Sequence, residues 1–254
     1  METVQRDLKT QHMFLNMGPS HPAMHGTVKI VLELDGETVI KGDVEIGYLR
    51  RAFEKSCEQG TYNQAIPYTD RLNYVSPIIN NVGYVMAVEK LLGIEMPERC
   101  QYIRVIMSEI SRVCDHLTSI AASAMELGAF SVFLYMMEAR EFLWELVEDV
   151  TGARVTVSYT RVGGVKADLP EGFIEKAREA FKQVRKIVTE VDKLLTRNRI
   201  FMERVKDVGV VSQESAIAYG MTGPFLRSTG IPMMFEKLSL TLCTIGLISR
   251  SLWG

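Results

Sequence analysis

A chain of 254 residues, 47% of them hydrophobic, is long enough for one large core or two small ones. Its formal net charge of -2 gives no argument for a nucleic-acid binder. Four dispersed cysteines (Cys57, Cys100, Cys114, Cys243) form no Cys-x-x-Cys pair, which argues against a disulfide framework, a zinc ribbon or an iron–sulfur cluster held by this chain, and fits a reducing, cytosolic compartment.

The polar opening METVQRDLKTQ is not expected to be a signal peptide, and no stretch approaches the roughly 18 apolar residues of a membrane span. Residues 13–16 read as a strand. The loop GPSHPAMHG, residues 18–26, follows. It holds His21 and His25 between prolines and glycines, and with His12 it accounts for three of the four histidines. Histidine changes charge near neutral pH without special tuning, so the loop suits presentation of an imidazole. On pattern alone a solvated, inert loop stays open. A His-x-x-x-His metal site lacks the following Glu and any nearby cysteine, and Gly26 interrupts a helix there.

Residues 28–34 alternate, with Val28, Ile30, Leu32 and Leu34 on one face, and Asp35-Gly36 signals a hairpin. Residues 38–40 and 44–46 supply further strands. After Gly47 the pattern turns helical, over 48–58, 77–92 and a long segment from Pro97. In that segment Ile103, Ile106, Ile110, Val113, Leu117 and Ile120 recur every three to four residues. A further helix covers 131–150 and stops at Thr151-Gly152, after which 153–159 alternates like a strand. Residues 170–199 form an amphipathic helix with the stripe Phe173, Ala177, Phe181, Val184, Val188, Val191 and Leu195. A short helix over 213–219 and a Gly/Pro turn over 220–230 complete the pattern. The expected class is α+β, a small N-terminal antiparallel β-sheet on a mainly helical bundle. The expected regions are a β region with the histidine loop (1–50), a helical bundle (51–232) and an atypical tail (233–254).

Seven segments, in order, carry a resemblance: GPSHPAMHG (18–26), IGYLRRAFEK (46–55), DRLNYVS (70–76), AVEKLLG (87–93), SEISR (108–112), GAR (152–154) and RVGGV (161–165). With them the chain resembles the family of the 49-kDa-type (D-type) subunit of bacterial respiratory complex I, the proton-pumping NADH:quinone oxidoreductase. The resemblance implies the fold of the nickel–iron hydrogenase large subunit without its nickel site, because Asn73 and Ser76 stand where thiolates would be needed. It implies that quinone is the substrate, with His25 and Tyr74 as hydrogen-bonding partners of the head-group and His21 in the same loop. Glu126, where the family usually has Asp, is implied as the carboxylate paired with His25. His25, Tyr74 and Glu126 form the implied catalytic set. Quinone reduction consumes two electrons and two protons, and an imidazole and a phenol can each donate a hydrogen bond and then a proton.

Arg51 and Thr156 are implied to lie near the terminal iron–sulfur cluster of a partner; many members have a histidine at the position of Thr156, which cannot titrate. No cofactor is implied on this chain itself; iron–sulfur clusters and FMN belong to partner subunits. The implied partners are the peripheral-arm subunits, above all the small iron–sulfur subunit, and the membrane subunit at the quinone entrance. The implied location is peripheral, on the cytoplasmic face of the bacterial cell membrane. A ferredoxin- or deazaflavin-fed relative and a non-catalytic adaptor remain alternatives. Resemblance ends near Pro232, so a truncated or frameshifted reading is expected, with an apolar docking tail as the alternative. The chain alone is expected to be inactive.

Overall fold

The computed structural model of the protein describes residues 12–21 and 26–232. It divides into two compact units, Met1–Glu58 and Gln59–Gly254. The class is α+β as expected, with a small antiparallel sheet and mostly helices. His25 and the tail 233–254 lie outside the described residues.

In the first unit β1 (Met13–Met17), β2 (Lys29–Asp35) and β3 (Thr38–Glu45) form an antiparallel sheet in the order β1-β2-β3. Leu15 lies opposite Leu32, and Ile30 opposite Val44, so the period-two apolar residues share one face. Gly36, with φ 62°, makes the short connection from β2 to β3. The sequence divides β3 into two pieces; the structure has one strand, because the β2 ladder carries Lys41, Gly42 and Asp43 across a register shift at Glu33/Leu34. Helix α1 (Phe53–Glu58) begins after Ala52, whose φ of 52° cannot continue a helix from residue 48.

The second unit opens with α2 (Tyr62–Thr69), which the periodicity did not signal because Pro67 reads as a breaker. A local signal was present. Thr61 and Gln64 form a capping box, in which the Gln64 N–H donates to Thr61 Oγ1 (3.4 Å) and the Thr61 N–H to Gln64 Oε1 (2.8 Å). Thr61→Ala should destabilise the unit by about 1 kcal/mol in urea denaturation.

Helix α3 (Pro77–Leu92) has the expected bounds, with Pro77 in its first turn and Gly93 (φ 66°) at its end. The core is formed by α4 (Glu98–Glu126), α5 (Phe130–Thr151) and α6 (Phe173–Leu195). The tight connection after α4, and the Lys176–Asp149 pair between the start of α6 and the end of α5, make neighbours antiparallel. Buried positions alternate spacings of four and three: Ile103, Met107, Ile110, Cys114, Leu117, Ala121 and Ala124 on α4, and Val132, Met136, Ala139, Leu143, Leu146 and Val150 on α5. This is the spacing at which helices pack side by side at a shallow angle.

Further sequence expectations need correction. Residues 153–159 are not a strand; only β4 (Thr160–Arg161) and β5 (Gly164–Val165) pair, as Thr156 (φ 53°) and Ser158 (φ 43°) break the extended path. The alternation there reflects burial instead, since Val157 and Tyr159 point inward. On α6 the buried stripe uses Ala180 and Ile187, while Phe181 and Val188 are each 38% exposed. This helix starts after Gly172 (φ 75°) and ends at Leu195, and a separate α7 (Arg199–Val205) is capped by Asn198. Helix α8 (Gln213–Ala218) is as expected, and α9 (Gly223–Ser228) occupies part of the expected Gly/Pro turn because Pro224 suits a first helical turn.

Candidate functional site

The turn 70–76 between α2 and α3 presents Tyr74, which is 61% exposed. Polar side chains hold this turn from several sides. The Asn73 amide donates to Ser76 Oγ (2.7 Å) and to Asp115 Oδ2 on α4 (3.3 Å), and the Asn80 amide donates to the Asn73 carbonyl (3.3 Å). Asn73 and Ser76 are thus bonded to each other. Arg71 Nη1 donates to the Pro67 carbonyl (2.5 Å), tying the turn back to α2.

Asp70, at the start of the turn, is completely buried. Its Oδ2 accepts from the Ser158 N–H (3.0 Å) and from Ser158 Oγ (2.5 Å), which fastens the 154–158 loop to the Tyr74 turn. Burial raises the Asp70 pKa above its ordinary value, against the lowering effect of Ser158, Asn81 and the Arg71 charge. Thr156, half-buried, sits two residues before this contact, so the structure brings the segments of Tyr74 and Thr156 together.

A second buried connection holds the β4–β5 hairpin. Arg104 on α4 and Glu89 on α3 form a bidentate ion pair at 2.9 and 2.7 Å, with side chains 3% and 8% exposed. Arg104 also donates to the carbonyls of Arg161 (2.8 Å) and Gly164 (2.9 Å), and Glu89 accepts from the Gly163 N–H (2.7 Å). Burial by itself raises the Glu89 pKa, but the bonds from Arg104 and Gly163 and the Arg104 charge outweigh it and hold the carboxyl below its usual range. Asp70 and Glu89 lie inside segments that the sequence marked, yet no local pattern assigned them a task; their partners are 88 and 15 residues away.

Glu126 is the last residue of α4 and is exposed. Along the helix axis it stands roughly 16 Å from Asp115, where the Tyr74 turn is anchored. A carboxylate at the partly negative end of a helix makes a site that favours a cationic partner. Arg204 of α7 donates to the adjacent Leu127 carbonyl and so completes this helix end. In the first unit His21 is half-buried and Arg51 is exposed.

A cleft of about 630 Å³ lies elsewhere, between the starts of α4 and α6. It is lined by Glu98, Tyr102, Ile106, Phe173, Ile174 and Glu175 among others, and none of the expected site residues lines it. Among the described residues no group of three His, Cys, Asp or Glu side chains is placed to hold a metal. Cys114 is buried, which pushes its thiol up to about 12 and makes it inert.

The model of the family described as "Respiratory-chain NADH dehydrogenase, 49 Kd subunit" matches residues 126–238. The chain is 55% identical over 232 residues to a D-type subunit of NADH-quinone oxidoreductase from Sorangium cellulosum, covering 91% of this chain and 57% of that protein. It is 54% identical over 230 residues to the D-type subunit from Myxococcus xanthus, covering 91% and 55%. With the D-type subunit from Methylacidiphilum infernorum the identity is 52% over 227 residues, covering 89% and 54%. The chain therefore spans a little over half the length of these relatives.

Proposed function

From the premise that this chain belongs to the family of the 49-kDa (D-type) subunit of NADH-quinone oxidoreductase, we propose that it supplies part of the quinone head-group site of that enzyme. The observation that carries this reading is the exposed phenol of Tyr74 on a turn held to α2, α3 and α4. A fixed phenol can donate to a quinone carbonyl oxygen as negative charge develops there, without reorganising first. His25 serves as the second donor, and His21 belongs to the same loop. The resemblance pairs the Glu126 carboxylate with His25, and a carboxylate beside an imidazole favours the imidazolium, the proton-donating form.

Electrons reach the quinone from an iron–sulfur centre on the small partner subunit. The described residues of this chain do not fit a cluster of their own, since Cys57, Cys100 and Cys114 are scattered over α1 and α4. Arg51 and Thr156 face that partner, and Thr156 leaves the site without a titrating group at its position. FMN and the remaining clusters sit on other subunits. No helix among the described residues is long and apolar enough to cross a membrane. The family resemblance implies a peripheral position against a membrane subunit at the cytoplasmic face.

The test is Tyr74→Phe in the assembled complex. Loss of one positioned proton donor should lower NADH-driven quinone reduction by about 100-fold. NADH oxidation with ferricyanide, which bypasses the quinone site, should be unchanged. Equal loss of both activities would signal misassembly, and unchanged quinone reduction would sink the reading.

A further inference from the structure

We propose that Asp70 is a positioning residue of this site: its buried carboxylate fixes the loop that carries Thr156 to the turn that carries Tyr74. The proposal deepens the functional reading above and rests on it for the roles of Tyr74 and Thr156.

The link is long-range and specific. One oxygen, Oδ2, accepts both the backbone N–H and the hydroxyl of Ser158, at 3.0 and 2.5 Å, across 88 residues of sequence. The held loop is in a conformation that does not persist unaided. Thr156 and Ser158 have φ values of 53° and 43°, in the left-handed region that non-glycine residues, and β-branched Thr above all, rarely occupy. Such backbone is kept only where its surroundings dictate it. Asp70 provides that constraint from one side; Arg161 provides it from the other by donating to the carbonyls of Ser158 and Thr160.

The carboxylate is not part of a tight ion pair. The cation beside it is the exposed Arg71, at 3.9 Å, and α3 offers only the neutral amide of Asn81. The side chain therefore works by accepting hydrogen bonds. The other end of the link is equally firm, because Asp70 caps α2 and the turn beyond it is bonded to Asp115 and Asn80. Any shift of the loop is passed to the turn, and the reverse.

An isosteric amide should do this work nearly as well. Asn at position 70 keeps an acceptor for Ser158, and its NH2 replaces the Oδ1 that has no partner, next to Asn81, whose own Oδ1 also has none. Alanine removes the acceptor, and Ser158→Ala removes the hydroxyl bond but leaves the backbone one.

The experiment compares Asp70→Ala, Asp70→Asn, Ser158→Ala and Tyr74→Phe in the assembled complex. It measures NADH:ferricyanide activity, kcat and KM for a short-chain quinone, and the electron paramagnetic resonance lines of the terminal cluster. Asp70→Ala should raise the quinone KM about tenfold and shift the cluster lines while ferricyanide activity is kept; Asp70→Asn should stay within about twofold, and Ser158→Ala should fall between them. A wild-type KM in Asp70→Ala overturns the proposal. Equal impairment in Asp70→Asn and Asp70→Ala overturns it too, because the charge rather than the acceptor would then matter. If Asp70→Ala does not assemble, a wild-type KM and unshifted lines in Ser158→Ala overturn it. Tyr74→Phe separates the two levels: if it leaves quinone reduction intact, the functional reading fails on its own, and if it alone impairs reduction, only the positioning role fails.

Discussion

Arg104→Ala should destabilise the helical unit by about 3–5 kcal/mol, the range for removing one partner of a buried ion pair. The variant leaves the Glu89 carboxylate buried without its cation and strips donors from the carbonyls of Arg161 and Gly164. Replacing both partners by apolar residues removes the unpaired charge, so the double variant Arg104→Met/Glu89→Leu should recover that part of the loss but not the part from the Arg161 and Gly164 carbonyls and the Gly163 N–H, which stay without their partners.

The pH dependence carries a sign that makes the test sharper. In the native chain Glu89 is held below its ordinary pKa of 4.5, so the unfolded carboxyl takes up its proton first on acidification. The stabilisation is present above pH 4.5 and is lost as pH falls through the folded value below it. In Arg104→Ala burial is left as the dominant influence, and the Glu89 pKa should rise above the ordinary value. That variant should gain stability as pH falls through the raised folded pKa towards 4.5, a range in which the contribution of Glu89 in the native chain is flat. Urea denaturation across this pH series checks it, and parallel profiles for the two proteins would show that the pair is not what holds the hairpin.

Gly18→Ala should have the largest effect in the first unit, about 3 kcal/mol. Gly18 has φ 94°, and a Cβ added there would lie 1.9 Å from the Val28 carbonyl oxygen and 3.0 Å from its carbon. These are backbone atoms, so no side chain can rotate away; β1 and β2 must separate at Met17–Ile30, where their pairing ends. Gly26, at the other end of the histidine loop, is the control. Its φ of 89° is similar, but an added Cβ meets none of the described residues within 4 Å, so Gly26→Ala should cost only about 1 kcal/mol. Amide hydrogen exchange of Met17 and Ile30 reads the difference. Equal protection in the two variants would mean that the close approach at Val28 is not a constraint on the loop.

Much of the local structure was legible without the fold. The alternation of Val28 to Leu34 marked β2, Asp35-Gly36 marked its hairpin, and Pro77 and Gly93 bracketed α3 at the bounds it adopts. These signals act within one turn or one strand, where side-chain type and φ preference decide the conformation. The same locality explains the failures. Residues 153–159 alternate like a strand, yet the loop bends because Asp70 and Arg161 reach it from outside. Phe181 and Val188 look like core by hydrophobicity alone, yet the buried seam of α6 runs through Ala177 and Ala180, whose small side chains allow close approach, and through Ile187.

The candidate site divides along the same line. Tyr74, Glu126, His21, His25, Arg51 and Thr156 could be named because the motifs around them are contiguous strings. The exposure of Tyr74, the Asn73–Asp115 bond that steadies its turn, and the burial of Asp70, Glu89 and Arg104 could not. A polar residue in a sequence carries no mark that says whether it will be solvated or enclosed. That depends on partners 15 to 88 residues away in chain order. Family membership, strand and helix type and the caps are properties of short windows, and the order of residues suffices for them. Which carboxylates are buried, what they hold, and which phenol is left facing outward became fixed when the helices closed on one another, because hydrogen bonding and desolvation depend on distance in space.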